Sequence, residues 1–397
     1  MSHHPDAPSD SASTTSWHRR PRFWELLIGA VAVALFARTL GFGWVYDDQM
    51  EIVLNSFVHS LGHLPEIFST TVWAGSGMET YLYRPLALLT YALNHQISGL
   101  EPWSYHAVNV LLHTLVSILV FRLGRLWGLP MAAAGLGGLL FALHPAHVEV
   151  VAAVFGRKDL LASLFVLATV LAHRSALGAG GWRLAVPALT FAGALLSKEV
   201  GMVALLLVLA HDWFLEPDRK RLLRDSRVPA LYVGYLAVFL LYLLVRNRVA
   251  GGMGIPETSF FDNPLVAAGP GARLATALVV LARGLFLLGM PLTLSPDYSF
   301  QAIPLVESPG DLRLLGALLF VGALAVGLSW RGKRRSAVVL ASVWYGVAVF
   351  PTSNLLIPVG TIFGERLLYL PSMAFCLLAG AAICALGRRS PRCTGGR

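Results

Sequence analysis

The chain has 397 residues, of which 56% are hydrophobic and only 13% charged, with a formal net charge of +9. That is about half the charge fraction of a soluble domain, and with a mean hydropathy of +0.64 it excludes an ordinary soluble protein. The basic residues sit in short clusters between apolar stretches, which marks membrane loops rather than a nucleic-acid surface.

Residues 1–22 are rich in Ser, His and Pro and read as a disordered basic tail. The apolar stretch from about Phe23 to Trp44 is too long, and too polar at its exit, for a cleaved signal peptide. It ends in Trp44, Val45, Tyr46, Asp47 and Asp48, opening a first outer loop over 45–105. Neighbouring carboxylates repel and need water or a cationic partner. At a helix C-terminus they also oppose the macrodipole, which makes a plain boundary a poor use of them. The chemical reading is a general base, with either aspartate as the base.

By the positive-inside rule the clusters His18–Arg22, Arg122 with Arg125, Arg174 with Arg183, Arg219–Arg227, Arg331–Arg335 and Arg388–Arg392 are cytoplasmic. Between them fall spans over 24–44, 106–127, 131–146, 159–174, 183–197, 200–214, 229–246, 310–330, 336–352 and 365–387. Two further apolar segments, 85–98 and 273–294, spoil the parity if each crosses once, and read as juxtamembrane or re-entrant helices on the outer face. Small residues over 132–140 read as a helix-packing face. The three cysteines fall late and have neither a disulfide framework nor zinc spacing.

With that orientation the clusters of mixed charge gather on the outer face. Arg84, between Tyr83 and Pro85, either snorkels or offers a guanidinium fork to a phosphate. His144, His147 and Glu149 follow an apolar span; the pair of histidines could ligate a metal, but no second cluster completes a site, and a divalent metal is not indicated. Arg157 and Lys158, followed by Asp159 at a helix start, make either an anion site or a loop with a capping aspartate. Lys198 and Glu199, after Ser197, break a run of about thirty apolar residues, too long for one span, into a tight hairpin eased by Gly201. A Lys–Glu pair in so short a turn is costly unless it faces a polar cavity. Asp297, and Glu365 with Arg366 after an apolar loop, complete the set.

Nine segments in order carry a resemblance: WVYDD (44–48), Asn55, YRPL (83–86), HAVNVLLH (106–113), LFALHPAHVEVVA (140–152), GRKDLLA (156–162), LSKEVG (196–201), LSPDYS (294–299) with IP (303–304), and GERLLYLPSM (364–373). In this order and spacing the chain resembles the membrane part of the TMTC family, transmembrane and tetratricopeptide-repeat O-mannosyltransferases of the GT-C glycosyltransferase class. Gly364 stands where the family has alanine. The resemblance implies an all-α polytopic membrane protein, a GT-C-like bundle of about 10–12 transmembrane helices over 23–387 with juxtamembrane helices on the outer face. It implies inverting transfer of a sugar, mannose above others, from a polyprenyl-phosphate carrier to a hydroxyl acceptor, protein Ser or Thr, with Asp47 and Asp48 as the base region.

Arg84, Arg157, Lys158, Lys198 and Arg366 are then the donor-phosphate residues. Tyr83, His113, His144, His147, Glu149, Asp159, Glu199, Asp297 and Glu365 are supporting, sugar or acceptor contacts. Family members end in repeats, whereas this chain ends in a basic tail, 388–397, which leaves open a repeat-bearing partner in trans or a natural truncation. The Ala, Gly, Leu and Arg bias points to a bacterial inner membrane, with the N-terminus cytoplasmic and the site facing the periplasm or exterior. Two other readings stand beside this one. A non-catalytic scaffold would keep the fold, and a secondary transporter would gather its charges at the midplane and show internal repeats.

Overall fold

The computed structural model describes residues 20–178, 181–216, 225–252, 258–329 and 335–389. The expected tails fall mostly outside the described residues, and the first helix, α1 (Pro21–Phe36), begins at a proline suited to a first helical turn. The chain is helical, with no strand among the described residues, so that its backbone hydrogen bonds are closed within each segment, as one of the two spanning architectures in lipid demands. In chain order there follow α2 (Leu64–Ser69), α3 (Pro85–Ser98), α4 (Trp103–Leu126), α5 (Met131–Leu143), α6 (Val148–Ala152), α7 (Arg157–Leu177), α8 (Ala185–Ser197) and α9 (Val203–Leu215). Then come α10 (Arg227–Val249), α11 (Pro270–Gly289), α12 (Leu312–Ser329), α13 (Arg335–Val349) and α14 (Tyr369–Arg389).

Among the described residues six helical segments are long and apolar enough to cross a membrane: Pro21–Gly41, Trp103–Leu126, Val154–Leu177, Arg227–Val249, Pro270–Gly289 and Glu365–Gly387. A seventh crossing results if α5 and the segment Pro145–Ala152, bent by 53° to each other, count as one. The two segments that spoiled the parity separate here. α3 stops after 14 residues at Gly99, whose φ of +57° lies in the left-handed half of the map, whereas α11 runs for 20 residues and is long and apolar enough to span. α8 and α9, each 13 residues, are about 20 Å long and short of the hydrocarbon thickness. Between them Gly201 folds back on α8: a Cβ there would meet the Ala194 carbonyl at 2.4 Å.

The centre of the bundle is built on small residues. α5 lies between α1, α4 and α14. A Cβ on Gly135 would strike the Trp24 ring at 2.1 Å, and one on Gly138 would meet Ile28 at 2.6 Å. A Cβ on Gly380 of α14 would fall 2.4 Å from the Gly137 nitrogen and 2.6 Å from the Ala133 carbonyl. Those neighbours are backbone, so no rotamer change relieves the clash. Gly380→Ala is therefore expected to push α5 and α14 apart at a cost of about 1–3 kcal/mol, read as a lowered thermal midpoint in detergent; an unchanged midpoint would mean that the contact is loose.

Candidate functional site

Past α1 the chain turns at Tyr46, whose φ of +46° is rare for a bulky residue, and then enters a short wide turn over Gln49–Val53. The two aspartates part company here. Asp48 is fully buried; its Oδ2 accepts from the Val45 N–H at 3.0 Å and its Oδ1 from the Phe155 N–H at 2.6 Å. Burial raises its carboxyl to about 6, against the lowering effect of those two donors and with Glu51 adding to the rise. Asp48 thus ties the first loop to the segment before α7. Asp47 has a side chain 45% exposed, with Oδ2 3.7 Å from Lys158 Nζ. Lys158 also hydrogen-bonds Glu51, a buried carboxylate the sequence reading had not singled out. The Tyr91 hydroxyl donates to the other Glu51 oxygen at 3.4 Å.

Adjacent residues at the start of α7 point different ways, as helix geometry dictates. Arg157 is completely enclosed. Its Nε donates to Asn109 Oδ1 at 3.0 Å, Nη1 to Asn94 Oδ1 at 2.5 Å and Thr90 Oγ1 at 3.3 Å, and Nη2 to the Tyr105 carbonyl at 2.7 Å. The guanidinium carbon lies 4.8 Å from the Tyr91 ring centre. Asp159, buried, accepts from Lys198 Nζ at 2.6 Å, while its Oδ2 has no partner. Burial, with Arg84 and Lys158 nearby, holds the Lys198 ammonium below the usual lysine range despite Asp159. Glu199 meets Arg84 through Nη2 at 3.0 Å and Nε at 3.3 Å.

A further pair closes the cluster. Arg366 donates its backbone N–H to Glu149 Oε2 at 2.9 Å and its Nη1 to Oε1 at 2.6 Å. It lies over Phe155 at 5.9 Å and within electrostatic reach of Asp159 and Asp47. Arg84 similarly feels Glu51 and Asp159. Arg84, Lys158, Lys198 and Arg366, with Asp47, Glu51, Glu149, Asp159 and Glu199, therefore form one field, although they come from residues more than 300 apart in the chain. Of its cations Arg366 is the most open, its side chain 30% exposed.

The other expected residues stand at its border or apart. Glu365 is buried, accepting from the Ser295 N–H at 2.7 Å and the Tyr298 hydroxyl at 2.6 Å. Asp297 is exposed and closes a local turn with Ser299. The Tyr83 hydroxyl donates to the Phe68 carbonyl at 2.9 Å. His113, His144 and His147 are enclosed with Phe141 and Tyr369. His144 Nδ1 accepts from the Ala146 N–H, so its Nε2 carries the proton and donates to the Leu288 carbonyl at 3.0 Å. His113 bridges the Ala142 carbonyl and the Tyr369 hydroxyl, and His147 bridges the Phe141 carbonyl and Ser372. Among the described residues no group of three His, Cys, Asp or Glu side chains is arranged to hold a metal ion.

Residues 252–325 match the family model described as Protein O-mannosyl-transferase TMTC, DUF1736. Protein O-mannosyl-transferase TMTC3 of Homo sapiens is 31% identical over 380 residues, covering 89% of this chain and 41% of that protein. TMTC4 of Homo sapiens is 33% identical over 429 residues, covering 94% and 57%. Over its membrane region the chain is similar to proteins of the TMTC family. TMTC2 of Mus musculus is 31% identical over 438 residues, 89% of this chain and 52% of that protein. The chain thus spans about half the length of the curated TMTC relatives it matches.

Proposed function

We propose that the chain is a membrane glycosyltransferase of the GT-C type that moves mannose from a polyprenyl-phosphate carrier to a hydroxyl of a protein acceptor, with inversion at the sugar carbon. The observation that carries this reading is the half-exposed Asp47 carboxylate beside Lys158, at the edge of a field of paired cations. Asp47 takes the proton of the attacking hydroxyl as its oxygen bonds to the sugar C1. The C1–O bond to the phosphate breaks, and the electron pair leaves on the phosphate oxygen. Arg366, Lys158, Lys198 and Arg84 neutralise the developing negative charge in a site with little water. Their carboxylate partners hold them in place before the donor arrives, and phosphate oxygens replace some of those contacts on binding.

The enclosed residues support this field. Asp48 fixes the backbone that carries Asp47. Arg157 joins α3, α4 and α7 beneath it, and the histidines join α4, α5 and α14. The site faces the periplasm or exterior of a bacterial inner membrane, with the N-terminus in the cytoplasm. Names of relatives support the mannosyl reading, and the placement of the charges at helix ends argues for it over a transporter, whose charges sit at the midplane.

The test is transfer by purified protein in lipid nanodiscs to a Ser/Thr-rich peptide, offering polyprenyl-phosphate mannose, polyprenyl-phosphate glucose and a nucleotide mannose. The expected result is transfer from the lipid-linked mannose alone. Equal use of the nucleotide sugar would overturn the donor class, and neither binding nor transfer with any of the donors would favour the scaffold.

A further inference from the structure

The loops on either side of α11 hold three phenyl rings that the fold leaves uncovered. Phe260 and Phe261 precede the helix and Phe300 follows it; they are 45%, 62% and 72% exposed. The Phe300 N–H donates to the Phe261 carbonyl at 2.8 Å. The rings of Phe261 and Phe300 stack with centres 6.0 Å apart and planes 16° from parallel, and Phe260 meets Phe261 edge-on at 6.2 Å. Phe300 and Gln301 have φ of +47° and +63°, strained values for residues with a side chain. The base of the first loop is pinned: Asn263 Nδ2 donates to Asn354 Oδ1 at 2.8 Å and to the Val359 carbonyl at 2.7 Å. Pinned and strained loops that hold phenyl rings outward are built to present them.

Their depth follows from what ties them down. Glu365 opens the membrane-length segment Glu365–Gly387 and accepts from the Ser295 N–H and the Tyr298 hydroxyl. Phe300 is two residues beyond Tyr298, at most about 7 Å of chain. The polar zone on each side of the hydrocarbon is itself roughly 5–8 Å thick. The first loop is held at the same level, because the Ile362 N–H, three residues before Glu365, donates to the Asp262 carbonyl at 3.1 Å. The exposed apolar surface is also continuous with that of α11: Phe286 on the helix is followed by Met290, Leu292 and Leu294, all exposed. Neither 258–263 nor 290–302 contains a lysine or arginine, so nothing in these loops selects a headgroup charge. A polypeptide would need partners for its own N–H and C=O groups, which phenyl rings do not supply. Acyl chains need none.

We propose that Phe260, Phe261 and Phe300 form a non-spanning membrane anchor, three rings dipped into the outermost acyl layer of the leaflet next to the charged cluster. The anchor sets the height of that cluster's edge above the lipid: Asp297, in the Phe300 loop, lies within electrostatic reach of Arg366. It acts by apolar insertion, as interfacial aromatic side chains do, and is therefore indifferent to salt and to headgroup charge. The anchor is independent of the donor class proposed above.

The experiment uses the full wild-type chain in phosphatidylcholine nanodiscs doped with a phosphatidylcholine whose acyl chain carries a photoreactive diazirine near the ester. Peptide mass mapping after illumination reads which residues the lipid reaches, and hydroxyl-radical footprinting of the same sample reads which rings water reaches. The expected result is acyl labelling of 258–263 and 297–302 with protection of Phe260, Phe261 and Phe300 from oxidation, unchanged when the nanodiscs contain phosphatidylglycerol or the salt is raised. A nitroxide at Phe300→Cys, with Cys376, Cys384 and Cys393 changed to alanine, gives an independent reading. It should collide with oxygen in preference to a water-soluble nickel chelate, and the thermal midpoint checks that the variant is folded. If that variant fails to fold, the wild-type labelling decides alone. Oxidised phenyl rings without acyl labelling, or a nitroxide that prefers nickel, would place the loops in water and overturn the inference. Protection without acyl labelling would mean that a second copy covers the rings, and labelling displaced by a Ser/Thr-rich peptide would mark an acceptor platform; either result also overturns it.

Discussion

Asp48→Asn is expected to destabilise the protein, whereas its neighbour Asp47→Asn is expected to leave stability unchanged and remove activity. Both Asp48 oxygens accept from backbone N–H groups, those of Val45 and Phe155, in a fully buried position. A carboxyl can accept at both oxygens in either protonation state, but the amide nitrogen of asparagine cannot accept at all. One buried N–H is left facing another donor, at a cost of about 1–3 kcal/mol. Asp47 is half exposed, and its Lys158 contact at 3.7 Å is long, so Asp47→Asn should shift stability by no more than about 0.5 kcal/mol. As the base, its loss should slow transfer by about 10²–10⁴-fold. Thermal midpoints and initial transfer rates on the two variants side by side check this. A stable Asp48→Asn together with a fully active Asp47→Asn would reverse the assignment.

Arg157 and Arg366 should separate just as clearly. Removing the Arg157 side chain, as in Arg157→Met, leaves the Asn94 and Asn109 side-chain oxygens and the Tyr105 carbonyl without their donor in a sealed interior. With each such loss worth about 1–3 kcal/mol, the sum is a large fraction of the stability of a typical domain. The expected outcome is a collapse of folded yield in detergent, and Arg157→Lys should not rescue it, because an ammonium cannot span the fork. Arg366→Gln breaks a partly exposed pair with Glu149, so folded yield should hold while donor affinity falls about tenfold or more. Normal yield of Arg157→Met would show that the enclosed network contributes little, and would return Arg157 to the set of candidates that meet the donor.

The contrast shows how far the sequence could be read. That the acidic pair, Arg84, the start of α7, the Lys198–Glu199 break and Arg366 belong together was legible, because charges interrupting apolar runs are costly wherever they fall. Which of two adjacent charges faces inward was not. Asp48 is fixed by a backbone N–H 107 residues away, and Arg157 by side chains on α3 and α4. Asn109 lay inside a recognised segment, but its role depends on a partner 48 residues on. Segments 85–98 and 273–294 looked alike in apolarity; the difference is a glycine stop at Gly99 against an uninterrupted 20-residue helix.

The central claim is that Asp47 acts as a base in a single displacement on a lipid-phosphate sugar. The most direct measurement is the anomeric configuration of the transferred mannose, read by digestion of the product with linkage-specific mannosidases against the known configuration of the donor. Inversion is the expected result. Retention would require two displacements through a covalent intermediate and would contradict the role given to Asp47.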